Sequence, residues 1–331
     1  MRRHITVILA VMGLGLFLVA FLRLDPQRVL LTIRQVTGKE LAALFLMRLG
    51  FWLFHALGWK LVLEGCEGQA SILQLLKARL AGHAFGYLTP TSKLGGEAFK
   101  VFMVGGTCRR TLAASAIVAK TLELQAMAFI MVVAVLSAIS RISLPARQQW
   151  LFAGLALLVI LLLSFFARQQ QRGLFSLLLR FMDRRDWRIP LVERNRQAMT
   201  AADSYMAVFY KRGHAKRLIV LLIYGVMTFW WVAEIHVNLV FVGAHDISAG
   251  TSLLLVSLGS FSSLLPGLPG SLGIYEATYL SLFVLLAIPM RTGIALVIFR
   301  RVLSLVWAGI GLLVIGLHRK APPAKKTESL V

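Results

Sequence analysis

The sequence predicts an all-α, polytopic integral membrane protein with about six full spans plus two broken or re-entrant helical hairpins arranged as a candidate inverted repeat. Three observations carry this reading. Of 331 residues, 58% are hydrophobic and only 15% are charged, with a mean hydropathy of +0.77. A soluble domain carries about a quarter of its residues charged, so the apolar excess here faces lipid. The apolar residues are gathered into stretches that recur along the whole chain and leave no room for a large soluble domain. Two of the hydrophobic segments, Ile72 to Val104 and Leu253 to Ile288, are interrupted by Pro, Gly and Ser in a way that continuous helix does not tolerate.

Taken in order, Met1-Arg2-Arg3-His4 precedes an apolar run from Ile5 to Leu22, about 27 Å of helix and long enough to span. The run ends without an A-x-A cleavage pattern and reads as a retained signal anchor. Further stretches follow at Leu41 to Leu63, Ile72 to Leu88, Leu112 to Ile139, Leu151 to Phe166, Leu218 to Gly243, Leu253 to Leu265, Ile274 to Ile288 and Gly293 to Leu317. Residues 1–320 form one transmembrane domain, and 321–331 a basic polar tail. Within the domain, the long polar interval 167–217 carries twelve Lys or Arg against four Asp or Glu, which places it in the cytoplasm. In that interval Ala198, Met199, Ala202, Tyr205, Met206 and Phe209 recur at helical spacing. They describe an amphipathic helix that either lies on the inner leaflet or packs under the bundle.

Orientation follows from charge. Gly243 to Gly250 holds one acid, Asp246, and no Lys or Arg, which suits the outside, whereas the tail with Arg319, Lys320, Lys325 and Lys326 suits the inside. Both hold if Leu253 to Ile288 enters and leaves on the outer face, and the same logic makes Ile72 to Val104 a hairpin from the cytoplasm. Arg23 to Glu40, with four basic and two acidic residues, then lies outside. The two interruptions share a pattern: Pro90, one residue, Ser, four residues, Glu97-Ala98 matches Pro269, one residue, Ser, four residues, Glu276-Ala277. Paired Gly/Pro-interrupted segments in the two halves point to an inverted repeat with a binding site near the midplane.

The net charge of +22 could suggest nucleic acid, but the basic residues fall mostly between apolar runs. That placement fits anionic lipid head groups at the basic loop, and no nucleic acid is expected. Cys66 and Cys108 stand apart with no CxxC or Cys/His cluster, so neither a disulfide framework nor a metal is expected.

A helix that begins inside a membrane leaves its first N–H groups unpaired and its positive dipole end exposed, which favours an anion. Gly95, Gly96, Gly270 and Gly273 permit close backbone approach, while Lys93, Lys100 and the pair Arg300-Arg301 supply full positive charges. Glu97 and Glu276 sit where a new helix would begin, a position that favours a carboxylate without any function, so helix capping and head-group recognition stand side by side. Arg48, His55, Lys120, Glu123, Glu234, His236, Arg300 and Arg301 also lie within apolar spans. A charge at that depth costs about 2.5–3.5 kcal/mol on insertion scales and turns towards the bundle interior or a partner. Lys120 and Glu123, three residues apart on one helix face, read as a mutually neutralising pair. Arg301 is the foremost candidate for a phosphate contact.

The runs Leu88-Thr-Pro90 through Gly95-Gly96-Glu97-Ala98-Phe99-Lys100 and Leu265-Pro-Gly-Leu-Pro269-Gly270-Ser-Leu-Gly273-Ile-Tyr-Glu276, with the later Arg301, resemble the lysylphosphatidylglycerol synthetase transmembrane region, the flippase-like integral membrane family. The resemblance spans nearly the whole chain. Pro-Gly-x-Pro-Gly-x-x-Gly-x-x-Glu is its more specific motif, and the first motif departs from the family pattern with Lys100 where Arg is more common. The resemblance implies a bacterial inner-membrane protein that moves, or helps to move, a lipid between leaflets. The candidate substrate-binding set is Pro90, Lys93, Gly95, Gly96, Glu97, Lys100, Pro269, Gly270, Gly273, Glu276 and Arg301. Fused relatives carry a soluble aminoacyltransferase domain that this chain lacks, so lysyl transfer is not expected.

Three function classes compete. The leading one is a flippase or lipid-transport protein for a phospholipid, an aminoacylated lipid or a polyprenyl-linked lipid, with no cofactor and both termini cytoplasmic. The second is a membrane enzyme of polyprenyl-phosphate sugar transfer. Its nearest acidic cluster, Asp183-Arg-Arg-Asp186, lies in a basic loop, and no nucleotide-phosphate loop, HExxH or nucleophile elbow appears. The third is a scaffold that docks a lipid-synthesising enzyme on the loop 167–217.

Overall fold

The computed structural model describes residues 37–89, 92–105, 107–139, 146–211, 214–260, 274–286 and 288–318, and these are helical throughout apart from short connections. Among them we number α1 Gly38–Gly65, α2 Ile72–Leu88, α3 Ser92–Met103, α4 Arg109–Ile139, α5 Ala146–Arg172, α6 Leu174–Arg184, α7 Pro190–Lys211, α8 His214–Phe241, α9 Ala249–Gly259, α10 Ile274–Leu285 and α11 Met290–His318. The first expected span, Ile5 to Leu22, lies outside the described residues, as do the tail, Pro90 and the interruption 261–273.

The five long helices α1, α4, α5, α8 and α11 have 27 to 31 residues each, about 40–47 Å at 1.5 Å per residue and more than a hydrocarbon core requires. Segments of α1, α4, α8 and α11 are both long and apolar enough to cross a membrane. In α5 the exposed Leu157, Leu158, Leu161, Leu162, Phe165 and Phe166 form a stripe two turns long, as expected of a helix facing lipid. Local chemistry defines the helix starts. Thr37 accepts from the Glu40 amide at 3.4 Å while the Glu40 carboxylate accepts from the Thr37 amide at 2.7 Å. Ser71 and Gln74 make the same reciprocal pair at the head of α2.

The interrupted segments are short helices. α3, α9 and α10 have 12, 11 and 12 residues, about 17–18 Å each and too short to cross a 30 Å hydrocarbon core. α2 and α3 form a tight hairpin because glycines face each other across it. A Cβ built on Gly96 would meet the Gly82 carbonyl oxygen at 2.3 Å and the Gly86 Cα at 3.3 Å. Gly82 and Gly86 are thus a small-xxx-small surface that lets two backbones touch. Phe85 and Phe99 stack alongside, with ring centroids 4.5 Å apart. In the other half Gly259 of α9 receives the Tyr279 ring of α10.

The halves exchange packing partners. α2 lies on α11, with Gly311 against the Leu80 carbonyl, and α9 lies on α4. At the centre α1 crosses α8, where Gly50 and Gly58 take the rings of Trp230 and Tyr224.

The loop 167–217 is a layer of helices. Of the two readings for its amphipathic segment, the structure selects packing under the bundle: Ala202, Met206 and Phe209 of α7 are buried in the main hydrophobic core, and the Phe209 ring lies against Gly65. It is α6 that leaves apolar side chains exposed, namely Leu177, Leu178 and Phe181.

Candidate functional site

Among the described residues, two ion-pair clusters lie inside the bundle. The first joins α1, α2, α3 and α4. The Glu97 carboxylate accepts from Arg79 Nη1 at 2.6 Å and is ion-paired with Lys100. Lys100 is fully buried, with its ammonium 4.5 Å from the centre of the Trp59 ring, and Trp59 Nε1 donates to Ser115 Oγ at 3.1 Å. Glu123 accepts from Lys120 at 2.9 Å and lies 3.3 Å from His55 Nε2. An ammonium over an aromatic face recovers part of the hydration it loses on burial.

The second cluster joins α1, α8, α10 and α11. Arg301 donates from Nε to Glu276 at 2.7 Å and from Nη1 to the Tyr87 hydroxyl at 3.3 Å, and its guanidinium lies 4.8 Å from the Tyr275 ring centre. Arg48 pairs with the fully buried Glu234, whose backbone carbonyl accepts from Asn238 at 2.6 Å. Arg300 Nε and Nη1 are buried close to Tyr275, Tyr279 and Glu234.

One face of α2 connects the clusters. Arg79, His83 and Tyr87 recur every fourth residue, so their side chains stack along one stripe about 12 Å long. Trp52 covers that stripe, with its ring centre 5.3 Å from the Arg79 guanidinium and 5.0 Å from the His83 ring, and His83 lies 5.8 Å from Tyr87. Polar and aromatic contacts therefore run from Glu97 through Arg79, His83 and Tyr87 to Arg301 and Glu276.

Several sequence expectations are refined by this geometry. Glu276 stands in the first turn of α10, where a carboxylate is favourable, and it also pairs with Arg301. Glu97 is the sixth residue of α3, beyond its first turn, so helix capping does not account for it. The expectation that both glutamates open a helix is thus corrected for Glu97, because α3 begins already at Ser92. Lys120 and Glu123 pair as their spacing suggested, and Glu123 in addition faces His55. Arg48 and His55, seven residues apart on α1, serve different clusters. Gly96 works as a packing surface against Gly82. Lys93 and Gly95 fall in the first turn of α3, whereas Pro90, Pro269, Gly270 and Gly273 lie outside the described residues.

The sequence reading passed over Arg79, Tyr87, Trp59 and Tyr275. A signal was present for the first two: Arg79 stands within an apolar stretch, and Arg79, His83 and Tyr87 share the i, i+4 spacing of one helix face. Trp59 and Tyr275 read as ordinary apolar residues, because their role comes from cations brought by distant segments.

No curated protein and no solved structure matches the chain. The family model described as the lysylphosphatidylglycerol synthase TM region matches residues 5–311, an interval that contains both clusters and both interrupted segments, and the chain therefore belongs to that family of multi-pass membrane proteins related to lipid modification and flipping.

Proposed function

We propose that this protein moves a lipid between the leaflets of the bacterial inner membrane, with a phosphate-bearing head group travelling past the two clusters while the acyl chains stay in the bilayer. The observation that carries the reading is the charge balance inside the bundle. The first cluster holds Arg79, Lys100 and Lys120 against Glu97 and Glu123, and the second holds Arg48, Arg300 and Arg301 against Glu234 and Glu276. Leaving His55 aside, each has one more base than acid among the described residues. An uncompensated cation at membrane depth costs about 2.5–3.5 kcal/mol on insertion scales, a cost that an entering anion relieves. Arginine suits this task because its planar donor fork matches phosphate geometry. The Arg79–His83–Tyr87 stripe supplies polar contacts between the clusters, so a head group need not cross bare hydrocarbon.

The protein in this reading is a transporter and not an enzyme, and both termini and the α6–α7 layer face the cytoplasm. The test is leaflet exchange of a fluorescent phospholipid in proteoliposomes, scored by chemical reduction of the outer-leaflet dye. Protein-dependent exchange with the lipid recovered chemically unchanged is the expected result. Exchange no faster than in empty vesicles, for phospholipid and polyprenyl-phosphate lipids alike, or turnover of labelled sugar nucleotide by the purified protein, would overturn it.

A further inference from the structure

We infer that α6 is a membrane-surface helix that seats its exposed apolar stripe in the lipid leaflet and holds anionic head groups with the arginines beside it. On α6, Leu179 and Met182 are buried against the neighbouring helices, whereas Leu177, Leu178 and Phe181 are 47%, 44% and 49% exposed. The exposed three stand at i, i+1 and i+4, a single stripe along the helix. Trp187 and Ile189, in the turn that follows, are exposed as well, and the Phe181 and Trp187 rings meet edge to face at 6.1 Å. Arg180 and Arg184 stand on the adjoining face, and Arg185 and Arg188 follow in the turn. An apolar stripe bordered by cations is the pattern of a helix lying in the interface of an anionic leaflet.

The placement of α6 selects lipid as the occupant. The exposed stripe of α5 ends at Phe166, and Arg168, Gln169, Gln170, Gln171 and Arg172 follow. Gly173 then turns the chain with φ of +103°, a conformation that favours glycine. Gly173 lies seven residues beyond Phe166, about 10 Å of helix, against a head-group layer of about 5–8 Å on each side of the hydrocarbon. α6 therefore starts at the outer edge of the head-group layer, within side-chain reach of the lipid. The buried Asp203 of α7 fixes it there, accepting from the amides of Phe175 and Ser176 at 2.9 and 2.7 Å.

The test uses the full chain in vesicles of two parts phosphatidylcholine to one part phosphatidylglycerol. With the exposed Cys108 replaced by Ser and the buried Cys66 left in place, a nitroxide is attached in turn at L178C, F181C, R180C and R184C. Collision with oxygen, which concentrates in lipid, is compared with collision with a water-soluble nickel chelate. Labels at 178 and 181 should favour oxygen, and labels at 180 and 184 the chelate. Chelate access at all four positions would overturn the seating. Shielding of 178 and 181 from both reagents would also overturn it, because a protein partner would then cover the stripe. The charge requirement is read from Trp187 fluorescence, as the difference between the parent and W187F. Brominated phosphatidylglycerol should quench at least about twofold more than the same amount of brominated phosphatidylcholine, and the preference should vanish in R180Q/R184Q/R185Q/R188Q. Equal quenching by the two lipids in the parent would refute the anionic preference.

Discussion

Replacing Gly96 by Ala tests whether backbone contact between α2 and α3 positions the first cluster. The added Cβ would stand 2.3 Å from the Gly82 carbonyl oxygen and 3.2 Å from the Gly82 carbonyl carbon. Both are backbone atoms of a helix that also packs on α11, so no flexible side chain can give way. Restoring an ordinary contact of roughly 3.4 Å or more requires the helices to part by at least about 1 Å, and overpacking of this kind costs typically 1–3 kcal/mol. Glu97 is the next residue, and its 2.6 Å hydrogen bond to Arg79 crosses the same interface. A separation of about 1 Å would therefore break that bond under normal distance limits. G96A should lower the unfolding midpoint in detergent and reduce leaflet exchange more than tenfold per folded molecule. G225A is the internal control: a Cβ there meets nothing within 4 Å in the middle of α8, and helix propensity alone predicts a gain of about 0.5–1 kcal/mol. If G96A matched the parent in both midpoint and exchange rate, the contact between α2 and α3 could not be what holds Glu97 in place.

At the second cluster, R301M should abolish exchange and, because the Arg301–Glu276 pair is broken, destabilise by about 3 kcal/mol at most, whereas R301M/E276Q should regain much of the stability without regaining exchange. Recovery of both by the double variant, measured by paired unfolding and exchange assays, would make the pair purely structural. In the surface layer, Asp183 and Glu193 both accept from Arg196, which holds their carboxyls below the usual carboxylate range. Lowered folded values stabilise the junction of α6 and α7 above the ordinary carboxylate pKa, and this contribution disappears as pH falls through the lowered values. Hydrogen-exchange protection factors across 183–196, which correct for the slower intrinsic exchange in acid, should therefore fall at acid pH in the parent but change little in R196Q; identical pH profiles would refute the linkage. For orientation, with Cys108 replaced by Ser, a cysteine at Asp246 should react with a membrane-impermeant reagent in intact cells while one at Arg185 should not. Ready labelling at Arg185 would invert the proposed topology.

Composition and periodicity alone were sufficient for the all-α membrane class and for the four membrane-crossing helices among the described residues, because each follows from a local rule: a span needs length and apolarity. The same rules flagged the buried charges, since an ionisable residue within an apolar stretch stands out regardless of its partner. Partner choice is a different matter. That Arg48 meets Glu234, 186 positions away, and that Arg301 reaches Tyr87 across 214 positions, depends on which helices touch. The spacing that made Ala202, Met206 and Phe209 an amphipathic face was equally compatible with lipid and with protein, because an apolar face is satisfied by any dry surface. Only the packing of α7 beneath α1 and α4 decided for protein and left the apolar stripe of α6 exposed. Arg79 illustrates the same division. Its charge was legible in a single line of sequence, but its place between Glu97 and Trp52 exists only because Gly82, Gly86 and Gly96 let two helices approach until their backbones touch.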